Sequence, residues 1–174
     1  MRKNVFLLAL LFTAGSLFIS SCSNDDDDDT VANPEYIATD ASFANFTSWV
    51  LEAEQNGPDP ALGPAHQGND STVTRHIYFK DGQDAVNGLY PVGTRIVKQS
   101  NNPDLSINEV TAMVKRGNNF DAANNDWEYF VLMPDGTIAT DGDGNPMRGA
   151  KLLGGMCLGC HTAASGSDYI FTKN

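Results

Sequence analysis

Cys157-Leu158-Gly159-Cys160-His161 lies near the end of a 174-residue chain. In a Cys-x-x-Cys-His pattern each thiol can add to one vinyl group of a porphyrin, and the histidine that follows can ligate the iron. Two intervening residues set both sulfurs on one side of a single helical turn, at about the vinyl spacing. The same residues could instead form a Cys157–Cys160 disulfide or part of a zinc site. Zinc needs four ligands, and the chain has no second cysteine pair to supply them. The pattern predicts one haem c, attached at Cys157 and Cys160, with His161 as the axial iron ligand.

The position of the motif narrows the fold. In the common electron-carrier cytochromes it lies near the N-terminus, and a methionine far downstream completes the iron coordination. Here thirteen residues follow His161 and none is methionine. Met113, Met133, Met147 and Met156 lie upstream, and each is an ordinary packing residue on its own evidence. Met156 adjoins Cys157 and is poorly placed to cross the haem plane. Four-helix cytochromes also carry the motif near the C-terminus, but the four long amphipathic patterns of such a bundle are missing.

The other end of the chain reads as an export signal. Arg2 and Lys3 precede an apolar run from Val5 to Phe18 that ends in small residues, which is too short for a comfortable membrane span. Ile19-Ser20-Ser21-Cys22 resembles the lipobox of bacterial lipoproteins, which implies cleavage after residue 21 and lipidation of Cys22. Five consecutive aspartates, Asp25 to Asp29, then repel one another and stay solvated, so residues 22–33 read as a tether. An acidic run just after a lipidated cysteine also resembles the surface-export signal of Bacteroidetes lipoproteins. The expected location is the outer membrane, facing the periplasm or the cell surface. One cysteine goes to lipid and two to haem, leaving none for a structural disulfide. Losing residues 1–21 removes two positive charges from a chain of net charge -11 and leaves -13. Such a chain is expected to avoid nucleic acid and to suit a basic redox partner.

Residues 34–174 are then enough for a single domain with one core. Phe43, Phe46, Val50 and Ala53 recur at spacings of three and four, which predicts a helix over residues 41–54, with Thr39 and Asp40 as caps and Gly57-Pro58 as its end. Residues 57–71 are rich in Gly, Pro, Asn and Asp and read as a loop. Beyond it the period shortens to two. Val73, Ile77 and Phe79 mark a first strand, residues 94–99 a second, 107–116 a third and 127–133 a fourth, apolar on both faces and therefore central. On the third strand Val110, Ala112 and Val114 share one face, and Glu109, Thr111 and Met113 the other. Pro134-Asp135-Gly136 is a turn, and residues 137–140 a short return strand. Asp141 to Asn145 resembles the start of a calcium loop, but Pro146 and Leu152 stand where that loop needs Gly and Glu, so it reads as a turn. The fold class is α+β: a mainly antiparallel sheet, an N-terminal helix and a short C-terminal helix carrying the haem motif.

A C-terminal haem motif on such a domain resembles the cytochrome P-460 family, including the beta-type cytochromes c-prime. The resemblance covers residues 40–172. It rests on Pro91-Val92-Gly93-Thr94-Arg95-Ile96-Val97-Lys98, Val114-Lys115-Arg116-Gly117, Asp126-Trp127 with Phe130, Pro134-Asp135-Gly136-Thr137, the haem motif, and Asp168-Tyr169-Ile170-Phe171. It implies one haem, the motif histidine on the proximal side, and an open or water-bound distal position. Family members oxidise hydroxylamine or bind gaseous ligands, chiefly nitric oxide. A small nitrogenous ligand is therefore expected here. A saturated electron-transfer cytochrome without substrate chemistry is the alternative.

The resemblance also places the residues that would decide between these. In hydroxylamine-oxidising members a lysine is cross-linked to a porphyrin meso carbon, and Lys98 occupies its position. Alternation puts Lys98 on the face of Ile96, pointing inward; a solvent-facing strand lysine is the competing reading. The distal carboxylate of the family falls on Thr111, whose hydroxyl is a poor base. Glu109 lies two residues away on the same face, about 6.6 Å along the strand. Thr111, Met113 and Glu109 are thus the candidate distal pocket. His66 and His76 read as loop and strand residues.

Overall fold

The computed structural model describes residues 33–172. The signal peptide, Cys22 and all but the last residue of the tether lie outside the described residues. Six strands form one antiparallel sheet in chain order: β1 Val50–Asn56, β2 Thr74–Phe79, β3 Arg95–Asn101, β4 Asn108–Lys115, β5 Trp127–Leu132 and the two-residue β6 Arg148–Gly149. A C-terminal helix, α1 Leu152–His161, follows, and short 3₁₀ turns occupy the connections.

The strict alternation of β2 to β5 gives the sheet two different faces. Val97, Val110, Ala112, Val114, Phe130 and Leu132 point one way and bury Ala38, Phe43 and Phe46 from the N-terminal segment. Ile77, Phe79, Ile96, Met113, Trp127 and Tyr129 point the other way and bury Leu152, Tyr169 and Ile170 from the C-terminal segment. Leu132 also bridges Ile138, and β5 is buried on both faces. It is the fifth of six strands rather than central; the N-terminal and C-terminal segments cover it from either side. Residues 137–140 make only isolated bridges, at Ile138 and Thr140, and not a strand. At residues 141–145 the carboxylate of Asp141 accepts the backbone N–H of Asp143 and of Asn145, which is a turn as expected.

The expected N-terminal helix over residues 41–54 does not form. Phe43 and Phe46 are buried, three residues apart, as a helical face would place them. That spacing is met instead by two 3₁₀ turns, Asp40–Ser42 and Phe46–Ser48, separated by Asn45 in the left-handed region at φ 54°. From Val50 the chain is extended; Val50 and Leu51 are exposed, and Ala53 is partly buried against the other face of the sheet from Phe43 and Phe46, so the supposed stripe does not form one buried face. The competing force is the open edge of β2. Its backbone groups need a partner, and residues 50–56 supply one.

Two glycines of the sequence motifs have structural work. Gly117 sits at φ +80°, and a Cβ there would run into the Pro34 carbonyl oxygen. Gly136, at φ +91°, would meet the Phe43 carbonyl oxygen at 2.7 Å.

Candidate haem site

The first turn of α1 is broken by three left-handed residues, Leu153, Gly154 and Gly155, so its regular turns are those that carry the motif. Cys157, Cys160 and His161 then stand at i, i+3 and i+4, which is one face of a helix. Neither thiol is in a disulfide. Cys157 and Leu158 pack against the apolar cluster of the sheet, and burial raises the Cys157 pKa above its ordinary value. Cys160 is exposed. The exposed Leu153, Met156 and Phe171 leave apolar surface around the motif.

His161 is held from three sides. Its ring lies 5.5 Å from the ring of Tyr129 and 5.5 Å from that of Phe171. Nδ1 is 2.8 Å from the carbonyl oxygen of Tyr169, so Nδ1 carries the proton and donates it, and Nε2 is left with a free lone pair. Burial lowers the imidazole pKa, which favours the neutral, ligating form. A metal-bound histidine needs this arrangement: one nitrogen fixed by a carbonyl, the other free.

The carbonyl of Tyr169 is itself fixed through its neighbour. Asp168 is fully buried and accepts from Lys115 Nζ at 2.8 Å to each oxygen, from Trp127 Nε1 at 3.1 Å, from Asn125 Nδ2 at 2.9 Å and from the Tyr90 N–H at 2.7 Å. Burial lowers the Lys115 pKa against the opposing pull of that carboxylate. Asp168 and Tyr169 are both left-handed, at φ 50° and 68°, and this network holds them there. Lys115, Trp127 and Asp168, separate motifs in the sequence, thus converge on one buried network.

On the sheet face against which α1 packs, the register stacks three rows. Phe79, Ile96, Met113 and Tyr129 form an apolar row; Ile77, Lys98, Thr111 and Val131 the next; Arg75, Ser100 and Glu109 the third. Met113 is buried in the apolar row. Lys98 and Thr111 are direct cross-strand partners. Lys98 points inward, and its pKa is pushed down to about 8, first by burial and then by the like charge of Arg75. The loop over residues 57–71 folds onto this end. It brings His66 Nδ1 to 3.5 Å from the Glu109 carboxylate and 3.4 Å from the Thr111 hydroxyl, while Gln67 Nε2 donates to Glu109 at 2.9 Å. Those bonds hold the Glu109 pKa below its ordinary value, His66 contributing most. His66 and Lys98 are close enough for their charges to lower the His161 pKa.

Glu109, Thr111, Lys98 and Met113 therefore share one face, as alternation requires, and His66 joins them. His66 was not foreseen as a site residue, since nothing in Gly63-Pro64-Ala65-His66-Gln67-Gly68 marks where the loop folds. His76 points to the opposite face and pairs with Glu54 at 3.4 Å.

The buried polar inventory fits a large cofactor on this face. The Tyr129 hydroxyl, the Ser100 hydroxyl, and Nε and Nη1 of Arg75 are buried without partners among the described residues. With two free thiols on one helical face and an imidazole whose Nε2 is open, these residues can hold a haem.

No curated protein and no solved structure matches the chain. The family model described as cytochrome P460 matches residues 59–172, from the loop that carries His66 to the end of the described chain. The chain belongs to the cytochrome P460 family of haem-binding cytochromes.

Proposed function

We propose that the chain is an exported mono-haem c-type cytochrome that binds, and can oxidise, a small nitrogenous ligand such as hydroxylamine or nitric oxide. Cys157 and Cys160 would hold the haem through thioethers, and His161 Nε2 would ligate its iron. A bound haem supplies a redox-active iron at which a small ligand can gain or lose electrons. The observation that carries the proposal is the His161 Nδ1–Tyr169 carbonyl bond on the helix that presents both thiols. An optical spectrum of the purified protein, with a haem stain after denaturation, tests it. Absence of covalently retained haem would refute it.

The chain's own residues suit proton handling opposite His161. Thr111 cannot act as a base at neutral pH. Glu109, ionised and bridged to Thr111 through His66, can accept the protons that hydroxylamine gives up on oxidation. Lys98 has an appreciable neutral fraction near pH 8, the nucleophilic form that a bond to the porphyrin edge requires.

One observation favours a second reading. His66 brings an imidazole to the same side of the fold, so a saturated, six-coordinate electron carrier is the alternative. Carbon monoxide added to the ferrous protein separates the two, because a saturated iron resists the ligand.

The proposal includes export as an outer-membrane lipoprotein, with cleavage after residue 21 and lipid on Cys22. The net charge of -13 on the mature chain suits a basic redox protein as electron partner. Cys22→Ser is expected to move the protein from the membrane to the soluble fraction, since an acidic tether has no other affinity for lipid.

A further inference from the structure

Arg75 is a charged residue in an inward position. The alternation Val73, Arg75, Ile77, Phe79 places it on the haem-facing side of β2, where it is 1% exposed. Only Nη2 has a partner, the carbonyl oxygen of Gly57. Nε and Nη1 have none, which leaves at least three of the five guanidinium N–H donors unused. Among the described residues no carboxylate forms an ion pair with it. Glu109, in the same row, is taken by His66 and Gln67.

The surroundings make this arrangement costlier. Ser100 pairs with Arg75 across the strands, is 1% exposed, and its hydroxyl is also buried without a partner. Lys98, on the same face of β3, is a second cation close enough for Arg75 to depress its pKa. A buried cation without a counter-charge is strongly unfavourable, and a neighbouring like charge adds to that. Asp59 and Glu109 offset part of the Lys98 charge, but no carboxylate among the described residues pairs with Arg75, so an anion set between the guanidinium, the Ser100 hydroxyl and Lys98 would stabilise the cluster. A planar guanidinium edge with free N–H groups matches a carboxylate-like oxyanion in shape as well as charge.

We propose that Arg75, Ser100 and Lys98 form a built binding site for a compact planar oxyanion. Two sources share that chemistry: a propionate carboxylate of the cofactor, or a free oxyanion such as nitrite. The first source rests on the haem-binding reading above; the second does not.

The test uses the purified holoprotein, with haem content measured separately by stain and spectrum. Sodium nitrite and sodium formate are titrated calorimetrically at constant ionic strength in chloride. If the oxyanion is free, the wild type binds it and Arg75→Gln binds at least about tenfold more weakly, with Arg75→Lys in between because charge is kept and the fork is lost. If a propionate fills the site, added oxyanion does not bind, and Arg75→Gln shifts the haem midpoint potential downward, because a nearby positive charge that disfavours the ferric form has gone. Ser100→Ala, a small change on a hydroxyl with no partner, gives the same readouts in weaker form and serves if Arg75→Gln does not fold. No oxyanion binding in wild type, together with an unchanged potential in these variants, would overturn the site.

Discussion

The carbonyl oxygen of Tyr169 and Nδ1 of His161 lie 2.8 Å apart, eight residues from each other in the chain. The bond fixes the tautomer of the imidazole, and it depends on a tail that Asp168 anchors to Lys115, Trp127, Asn125 and Tyr90. Asp168→Ala removes the carboxylate that both hydrogen-bonds and ion-pairs with the buried Lys115 ammonium, leaving only the more distant charge of Asp126 among the described residues. Breaking a buried pair by deleting one partner typically costs about 3–5 kcal/mol. Urea denaturation should show a loss of that order. The Lys115→Met/Asp168→Leu double variant should recover part of it, because no charge is then left unpaired. If haem is retained in Asp168→Ala, its spectrum should change, since the tail no longer fixes His161.

Lys98 supplies a pH prediction. Its pKa of about 8 lies well below the ordinary 10.5, so its acylation by an amine-selective reagent should have a midpoint near pH 8. Burial and Arg75 push it down, while Asp59 and Glu109 pull the other way. Arg75→Gln should therefore raise the midpoint. The unfolded chain holds this proton up to about pH 10.5 and the folded chain only to about 8, so the charge opposes folding below pH 8. That cost fades as pH rises from 8 to 10.5, and Lys98→Met should flatten stability over this window. A blocked amine that never reacts would indicate the porphyrin cross-link instead.

The strands were legible because their residues obey a two-residue period. Val110, Ala112 and Val114 lie on one face and Glu109, Thr111 and Met113 on the other, as their alternation dictates. The segment 41–54 misled because Phe43 and Phe46, three apart, satisfy a helix and a pair of 3₁₀ turns equally. What decided the matter was the unpaired edge of β2, a tertiary demand that no local period contains. His66 carried no signal, since a loop residue's position depends on how residues 57–71 close over the sheet. Arg75 did carry one: a charged residue at an inward position between Val73 and Ile77.

Attachment can be tested residue by residue. Cys157→Ala and Cys160→Ala each remove one thioether and should lower covalently retained haem, seen by in-gel stain. His161→Ala keeps both thiols but removes the only imidazole on α1 and should alter the ferric spectrum. Full haem content with unchanged spectra in all three would rule out the c-type assignment.

The last prediction concerns turnover. Thr111 stands opposite Lys98 and offers no carboxylate. The carboxylate on the same face is Glu109, held by Gln67 at 2.9 Å and joined to Thr111 through His66. Glu109 is ionised at neutral pH, because its partners keep its pKa below the ordinary value. General-base assistance is typically worth about 10²–10⁴ in rate. Glu109→Gln keeps the shape and should slow hydroxylamine oxidation by about 10²-fold or more, with an artificial electron acceptor as the assay. His66→Ala removes the bridge and should act in the same direction by a smaller factor. Nitric oxide binding needs no base, so its affinity should change little in Glu109→Gln. In that background Thr111→Glu should restore part of the turnover, because the new carboxylate would occupy the adjacent row on the same face. Undiminished oxidation in Glu109→Gln, with haem content intact, would show that this carboxylate takes no proton from the ligand.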